Sequence, residues 1–376
     1  MNIQMVDVKS QYLKIKGEVD RGIQEVLDTT AFINGPQVKK FQKEFEAYLG
    51  VKHVIPCANG TDALQIAMMA LGLKPGDEVI VPAFTYVATA EVIALLGLTP
   101  VMVDVDADTF NILIKGIKKA ITSKTKAIVP VHLYGQSADM EAIMQIAEDN
   151  KLWVIEDNAQ AIGADYTFSN GLKAKTGTIG HIGCTSFYPS KNLGCYGDGG
   201  AIMTNDDELG TLLHKIANHG QVVRYYHDVV GCNSRLDSIQ AVVLSAKLPH
   251  LDEYRDARVK VADYYDAAFA DVNGLETPYR AAYTNHVFHQ YTLKIKDGRR
   301  DALKSYLDEQ KIPNMIYYPV PLYKQEAFKA SSNGLEYLEN TEILCKEVIS
   351  LPIHTEMDDA KLAYICGKVK AFFEAR

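Results

Sequence analysis

Between the turn at Asn34-Gly35-Pro36 and about residue 250, short β-branched runs alternate with longer amphipathic stretches. Val79–Val81, Pro100–Val103, Ala127–Val129 and Trp153–Ile155 are apolar runs and predict buried strands. Between them Asp62–Leu71, Tyr86–Leu96 and Met140–Asn150 read as helices. Such alternation predicts βαβ units and a mostly parallel sheet. Ligands of such sheets sit beyond the carboxyl ends of the strands, so chemistry is expected just after each apolar run. The first 35 residues read as helical. From about 235 to 270 runs one long helix or two joined ones, with Pro249 as the bend or joint. Beyond it the order changes to a strand at Gln290–Ile295, a helix at Arg300–Gln310, extended segments and a final helix. The expected fold class is α/β, with a large domain around a mostly parallel central sheet at 1–250 and a smaller α+β domain at 251–376. A chain of 376 residues is long enough for both.

Composition narrows the function classes. The net charge of −8 argues against general nucleic-acid binding, while leaving room for a local basic pocket. No apolar run is long enough to span a membrane, and Met1–Asp7 shows no basic segment leading into an apolar one. The six cysteines form no Cys-x-x-Cys pair and no cluster with histidine at zinc spacing, so free thiols, a cytoplasmic location and no metal are expected.

Three segments carry candidate chemistry. Trp153-Val-Ile-Glu-Asp157-Asn-Ala-Gln160 ends a strand in two acids. A carboxylate at Asp157 can pair with a protonated ring nitrogen, but on this segment alone a helix cap or a magnesium ligand is the plainer reading. In Thr185-Ser-Phe-Tyr-Pro-Ser-Lys191-Asn-Leu-Gly194, followed by Gly197-Asp-Gly-Gly200, a lysine stands before glycine-rich backbone. An amine there can condense with an aldehyde, and Ser186 offers a hydroxyl to a phosphate. A solvated surface lysine is the plainer alternative. Cys57-Ala-Asn-Gly60-Thr61-Asp62 opens a helix, where free N–H groups suit a phosphate or merely an ordinary cap.

Together these segments resemble the pyridoxal-phosphate (PLP) dependent nucleotide-sugar aminotransferases of DegT/StrS type, which share the aspartate-aminotransferase fold (fold type I). The resemblance runs over nearly the whole chain. It is carried also by Phe32–Pro36, Asn59–Leu64, Pro82–Thr89, Pro130–Gly135, Gly231–Asp237 and Ser350-Leu-Pro-Ile-His354. It implies that Lys191 holds PLP covalently and shuttles the proton. Asp157 would pair with the pyridine nitrogen, Gln160 would bond the phenolic side and Tyr86 would stack on the ring. Gly60, Thr61 and Ser186 would hold the phosphate. Asn233 would reach the phosphate, and Arg235 the substrate, of the neighbouring subunit in a homodimer with shared sites. On the residues alone, Asn233 as a helix cap and Arg235 paired with Asp237 or a surface acid stay open.

The resemblance also implies the substrates: an amino-acid donor, L-glutamate, and a keto-sugar nucleotide, giving an amino sugar for surface polysaccharide or glycosides. Tyr188 and Gly197-Asp-Gly-Gly200 look like the branch that aminates C3 of 3-keto sugars. The C4 branch tends to carry a histidine at the first place and Gly-Glu-Gly-Gly at the second, and C4 amination is the alternative. In Met315-Ile-Tyr-Tyr-Pro-Val-Pro-Leu322, Tyr318 stands where the family often has histidine, and Tyr317 and Tyr318 are either substrate contacts or packing groups. A PLP-dependent sugar dehydratase would place histidine at the lysine position, a nicotinamide oxidoreductase would need Gly-x-Gly-x-x-Gly after its first strand, and a non-catalytic regulator would not need Lys191, Asp157 and Gln160.

Overall fold

A computed structural model describes residues 2–330, 335 and 337–375; the outer limits of the two expected domains, residues 1 and 376, lie outside it. In chain order the first half gives α1 (Val8–Thr29), α2 (Pro36–Leu49), β1 (His53–Cys57), α3 (Gly60–Ala70), β2 (Glu78–Pro82), α4 (Ala88–Leu95), β3 (Thr99–Val103), α5 (Ile114–Ala120), β4 (Thr125–Ile128), α6 (Met140–Asn150) and β5 (Trp153–Asp157). There follow β6 (Asp165–Thr167), β7 (Lys173–Lys175), β8 (Ile182–Ser186), β9 (Gly200–Thr204), α7 (Asp207–Ala217), α8 (Ser238–Lys247) and α9 (Leu251–Phe269). The last part holds β10 (Leu275–Glu276), β11 (Tyr291–Ile295), α10 (Arg300–Glu309), α11 (Glu339–Glu347), β12 (Val348–Leu351) and α12 (Asp359–Glu374).

Seven strands form one sheet in the order β1-β9-β8-β5-β4-β2-β3. The ladders from β8 through β5, β4 and β2 to β3 are parallel. β9 runs against both its neighbours, β8 and β1. The sheet is therefore mostly parallel, with one reversed strand that the pattern did not predict. β1, β8 and β9 also escaped it. They are short and mix glycine, proline, cysteine and serine into the run, so burial rather than β-propensity sets them.

The helices follow their local chemistry. α1 ends where Thr30 turns left-handed (φ 53), short of the expected residue 35. α4 starts two residues later than expected, which leaves Thr85 and Tyr86 in the loop after β2. α8 and α9 are joined by a 3-10 turn over Leu248–His250, with Pro249 at its start, where a missing N–H is tolerated. One apolar core packs α3, α4 and α7 on one face of the sheet. A second packs α1, α2 and α8 with β9 on the other. The later residues build a three-stranded sheet, β10-β11-β12, around a third core with α9, α10 and α12, which Ile3 joins from the opposite end of the chain. No helix among the described residues is long and apolar enough to cross a membrane.

Candidate active site

The strand ends do converge on a cavity, of about 760 Å³. Its floor comes from Asp157 at the end of β5 and Ser186 at the end of β8. Its walls come from Asn59, Gly60 and Thr61 at the opening of α3, and from Thr85 and Tyr86 after β2. Gln160 and Lys191 line it from the loops that follow β5 and β8, and Tyr317 and Tyr318 close it from the later part of the chain. Nine of the residues singled out in the sequence thus share one space.

The Asp157 carboxylate is buried and half-satisfied. Thr89 Oγ1 donates to Oδ2 at 2.8 Å, and the Ala159 N–H donates to Oδ1 at 3.2 Å. It caps no helix. Thr89 lies in the first turn of α4, three residues after the loop residue Tyr86, and its part at this carboxylate was not visible in the motif that ends with it. Gln160 spends its oxygen on the Tyr134 N–H (2.7 Å) and its Nε2 on the Tyr318 hydroxyl (3.2 Å). Tyr318 is therefore joined to the large sheet through Gln160, and burial pushes its phenol well above the ordinary range. Tyr134 in turn donates its hydroxyl to the Tyr317 carbonyl.

Lys191 sits in a tight loop closed by the Cys195 N–H on the Phe187 carbonyl (2.8 Å). Burial brings its amine down from 10.5 to about 8, against the pull of the Asp157 carboxylate. The amine is thus uncharged in a useful fraction of molecules near neutral pH. The opening of α3 meets the end of β8 very closely: a Cβ on Gly60 would lie 2.8 Å from Ser186 Cβ. Only glycine allows the helix start and the serine hydroxyl to share one small space. Asn59 caps the helix through the Asp62 N–H (2.8 Å), so the cap is Asn59 rather than Thr61 or Asp62. An anion fits there. An aldehyde-bearing, phosphorylated pyridine is matched by this donor set: an amine of lowered proton affinity, a carboxylate with spare acceptor capacity, a helix opening beside a hydroxyl, and the ring of Tyr86, which is 57% exposed.

Asn233 and Arg235 do not line this cavity. Asn233 is exposed and bridges to Asn218, and Arg235 is half-buried with no ion pair among the described residues. The two plainer readings of this pair are corrected: the capping position of α8 is Asp237, not Asn233, and Arg235 makes no ion pair with Asp237 or any other acid among the described residues. Between them Ser234 is buried, accepting the Ala58 N–H at 3.0 Å. Tyr188 and Asp198, read in the sequence only as marks of the C3 branch, also line the cavity, and so does His289, which no motif indicated. His289 precedes a strand instead of following one, so the strand-end rule could not find it.

A family model described as the DegT/DnrJ/EryC1/StrS aminotransferase family matches residues 14–370. A "pleiotropic regulatory protein" of Geobacillus stearothermophilus is 47% identical over 99% of each chain. A UDP-2-acetamido-2-deoxy-3-oxo-D-glucuronate aminotransferase of Pseudomonas aeruginosa is 46% identical, covering 97% of this chain and 99% of its own. A UDP-N-acetyl-3-dehydro-alpha-D-glucosamine 3-aminotransferase of Acidithiobacillus ferrooxidans is 44% identical over 98% and 97%. Among solved structures, DesV of S. venezuelae superposes with a TM-score of 0.95 at 38% identity, covering 100% of this chain and 99% of its own.

Proposed function

The chain belongs to the DegT/DnrJ/EryC1/StrS aminotransferase family, and from that premise we propose that it transfers an amino group from L-glutamate to C3 of a 3-keto-sugar nucleotide, with pyridoxal 5'-phosphate held by Lys191. In this reading residues 1–250 form the cofactor-binding domain and 251–376 the smaller domain. The enzyme works in the cytoplasm as a homodimer, with Asn233 and Arg235 serving the neighbouring subunit's site. The observation that carries it is the convergence of Lys191, Asp157 and the opening of α3 on one cavity. The C3 position is supported by the 3-oxo and 3-dehydro substrates in the names of two relatives. Against the regulatory name of a third stands the sharing of one cavity by the Lys191 amine and the Asp157 carboxylate.

When bound, PLP supplies an aldehyde carbon for the amine and a protonated ring that takes up negative charge. The chain does the rest. Asp157, fixed by Thr89, holds the ring proton. Gly60, Thr61 and Ser186 bind the phosphate, and Tyr86 covers the ring. Lys191, uncharged above about pH 8, accepts a proton from the donor's α-carbon and returns it on the far side of the reaction. Tyr317 and Tyr318 keep water out and face the sugar.

The test is a panel of 3-keto and 4-keto sugar nucleotides incubated with glutamate and read by mass spectrometry. Amination of 3-keto compounds is expected, with a near-visible absorbance band that shifts on adding glutamate. Amination confined to 4-keto compounds would overturn the C3 assignment, and the lack of any such band would overturn the cofactor.

A further inference from the structure

The segment just before β11 reaches the cavity carrying a group that nothing above employs. His289 is 5% exposed and lines the cavity, yet its Nδ1 is buried with no hydrogen-bond partner. Its neighbour in sequence, His286, is fully accounted for: its Nδ1 accepts the Phe288 N–H at 3.0 Å, and its ring stacks on Phe288 at 3.9 Å between centroids. A buried acceptor without a donor is destabilising, so a wall that keeps one has a use for it.

The backbone around His289 is held from several sides. Gly135, at φ 104, lets the chain pass so close that a Cβ there would lie 2.9 Å from the His289 nitrogen. The Asn192 side chain, next to Lys191, donates to the Val287 carbonyl at 3.0 Å. Arg258 of α9, buried without a carboxylate, gives one Nη to the carbonyls of Phe288 (3.1 Å) and Ile353 (3.0 Å) and reaches that of His289 at 3.5 Å. The same guanidinium thus fastens the Ser350–His354 motif to the wall behind the lysine. Burial first, then the charges of Lys191 and Arg258, keep the imidazole neutral, and in the tautomer protonated at Nε2 its Nδ1 is an acceptor.

We propose that His289 is a positioning residue for Lys191: its buried Nδ1 accepts a hydrogen bond from the amine once that amine is released, and so aims the amine's lone pair at the reacting carbon. The inference rests on Lys191 being the reacting amine. Asp157 from β5 is the charge that acts on the amine; the other titratable groups lining the cavity are Asp198 and the phenols of Tyr86, Tyr188, Tyr317 and Tyr318, and Arg258 acts on the imidazole.

The experiment uses full-length protein freed of cofactor. It is acetylated over a pH series, and modification of Lys191 is followed by peptide mass spectrometry. A neutral acceptor favours the charged amine, so His289→Phe should move the midpoint to lower pH by about half a unit or more. His289→Asn, whose amide can occupy the place of Nδ1, should restore it, and His289→Gln, with the amide one bond further out, should not. In loaded enzyme kcat should fall about tenfold in the Phe and Gln variants, with KM for glutamate within about twofold, and recover in the Asn variant. If His289→Phe does not fold, the Asn–Gln contrast decides alone. A midpoint that stays put in His289→Gln, or a kcat loss equal in Asn and Gln, overturns the proposal. Borohydride reduction with PLP separates the two levels. No label on Lys191 removes the lysine assignment and this inference with it, whereas a labelled Lys191 with an unmoved midpoint removes only the inference.

Discussion

Two lysines of this chain are both brought to about 8 by burial, and they are placed in opposite ways. Lys191 lines the cavity and is held by no hydrogen bond of its side chain among the described residues. Lys247, on α8 behind the same loop, donates to the Gly194 carbonyl at 2.7 Å and lies 4.7 Å from the centre of the Tyr196 ring. Low proton affinity is thus not a mark of reactivity by itself. Access and an unspent nitrogen are. The same contrast repeats one residue apart on β5. Glu156 is fully buried and collects the His132 ring nitrogen (2.8 Å) and the N–H groups of Gly177, Ile179 and Gly180, at 2.8, 2.7 and 2.6 Å. Asp157 keeps acceptor capacity for the cavity. Neighbouring residues of a strand point to opposite faces, which is why one acid is spent on the fold and the other faces the cavity.

The contrast can be broken most directly at the lysines. Lys191→Ala should fold and lose turnover by on the order of a thousandfold or more, while Lys247→Met should keep kcat within about tenfold. Comparable turnover losses in the two purified variants would erase the distinction. At the acids, Asp157→Asn keeps the shape and removes the charge, and should raise the barrier by a few kcal/mol. Glu156→Gln should instead lower the thermal midpoint and leave kcat of the folded fraction nearly intact. An unchanged kcat in Asp157→Asn would take that residue out of the site.

Whether the pair outside the cavity belongs to the site of a second subunit is settled by mixing. Inactive Lys191→Ala subunits combined with inactive Asn233→Ala/Arg235→Ala subunits should regain part of the activity, because a mixed dimer contains one intact site. Formation of mixed dimers with no return of activity would refute sharing.

The smallest effect concerns stability. A lysine whose folded pKa lies below its unfolded value binds fewer protons when folded between about 8 and 10.5. Its burial is therefore fully destabilising below about 8 and relieved as pH rises towards the unfolded value. Wild-type protein should gain roughly 1–3 kcal/mol between pH 8 and 10 relative to Lys247→Met, measured by urea unfolding. Parallel pH curves for the two proteins would contradict this.

What could be read in the sequence follows the same physics. β2 to β5 were visible because apolar, β-branched runs advertise two-sided burial. β8 and β9 were not, since Gly183 and Gly200 serve close packing rather than propensity. Lys191, Asp157 and Gln160 were legible as motifs. Thr89, His289 and the Gln160–Tyr318 bond were not, because each depends on segments far apart in the chain. Gln160 meets a loop more than a hundred residues later, and no local pattern encodes such a meeting.

The pairing of β1 with β9 has a consequence for how the protein is made. Among the described residues β1 (His53–Cys57) finds its only partner strand in β9 (Gly200–Thr204). At bacterial or eukaryotic rates of synthesis, about 5–20 residues per second, that partner leaves the ribosome roughly seven to thirty seconds later. During that interval the Val54-Ile55 edge has unpaired backbone groups and a buried-type surface with nothing to bury it, a state prone to wrong pairing. The cavity waits longer still, since Tyr317 and Tyr318 emerge near the end. On a nascent chain, then, the groups proposed to hold the cofactor, from Gly60 to Lys191, are all present more than a hundred residues before the tyrosines that cover them.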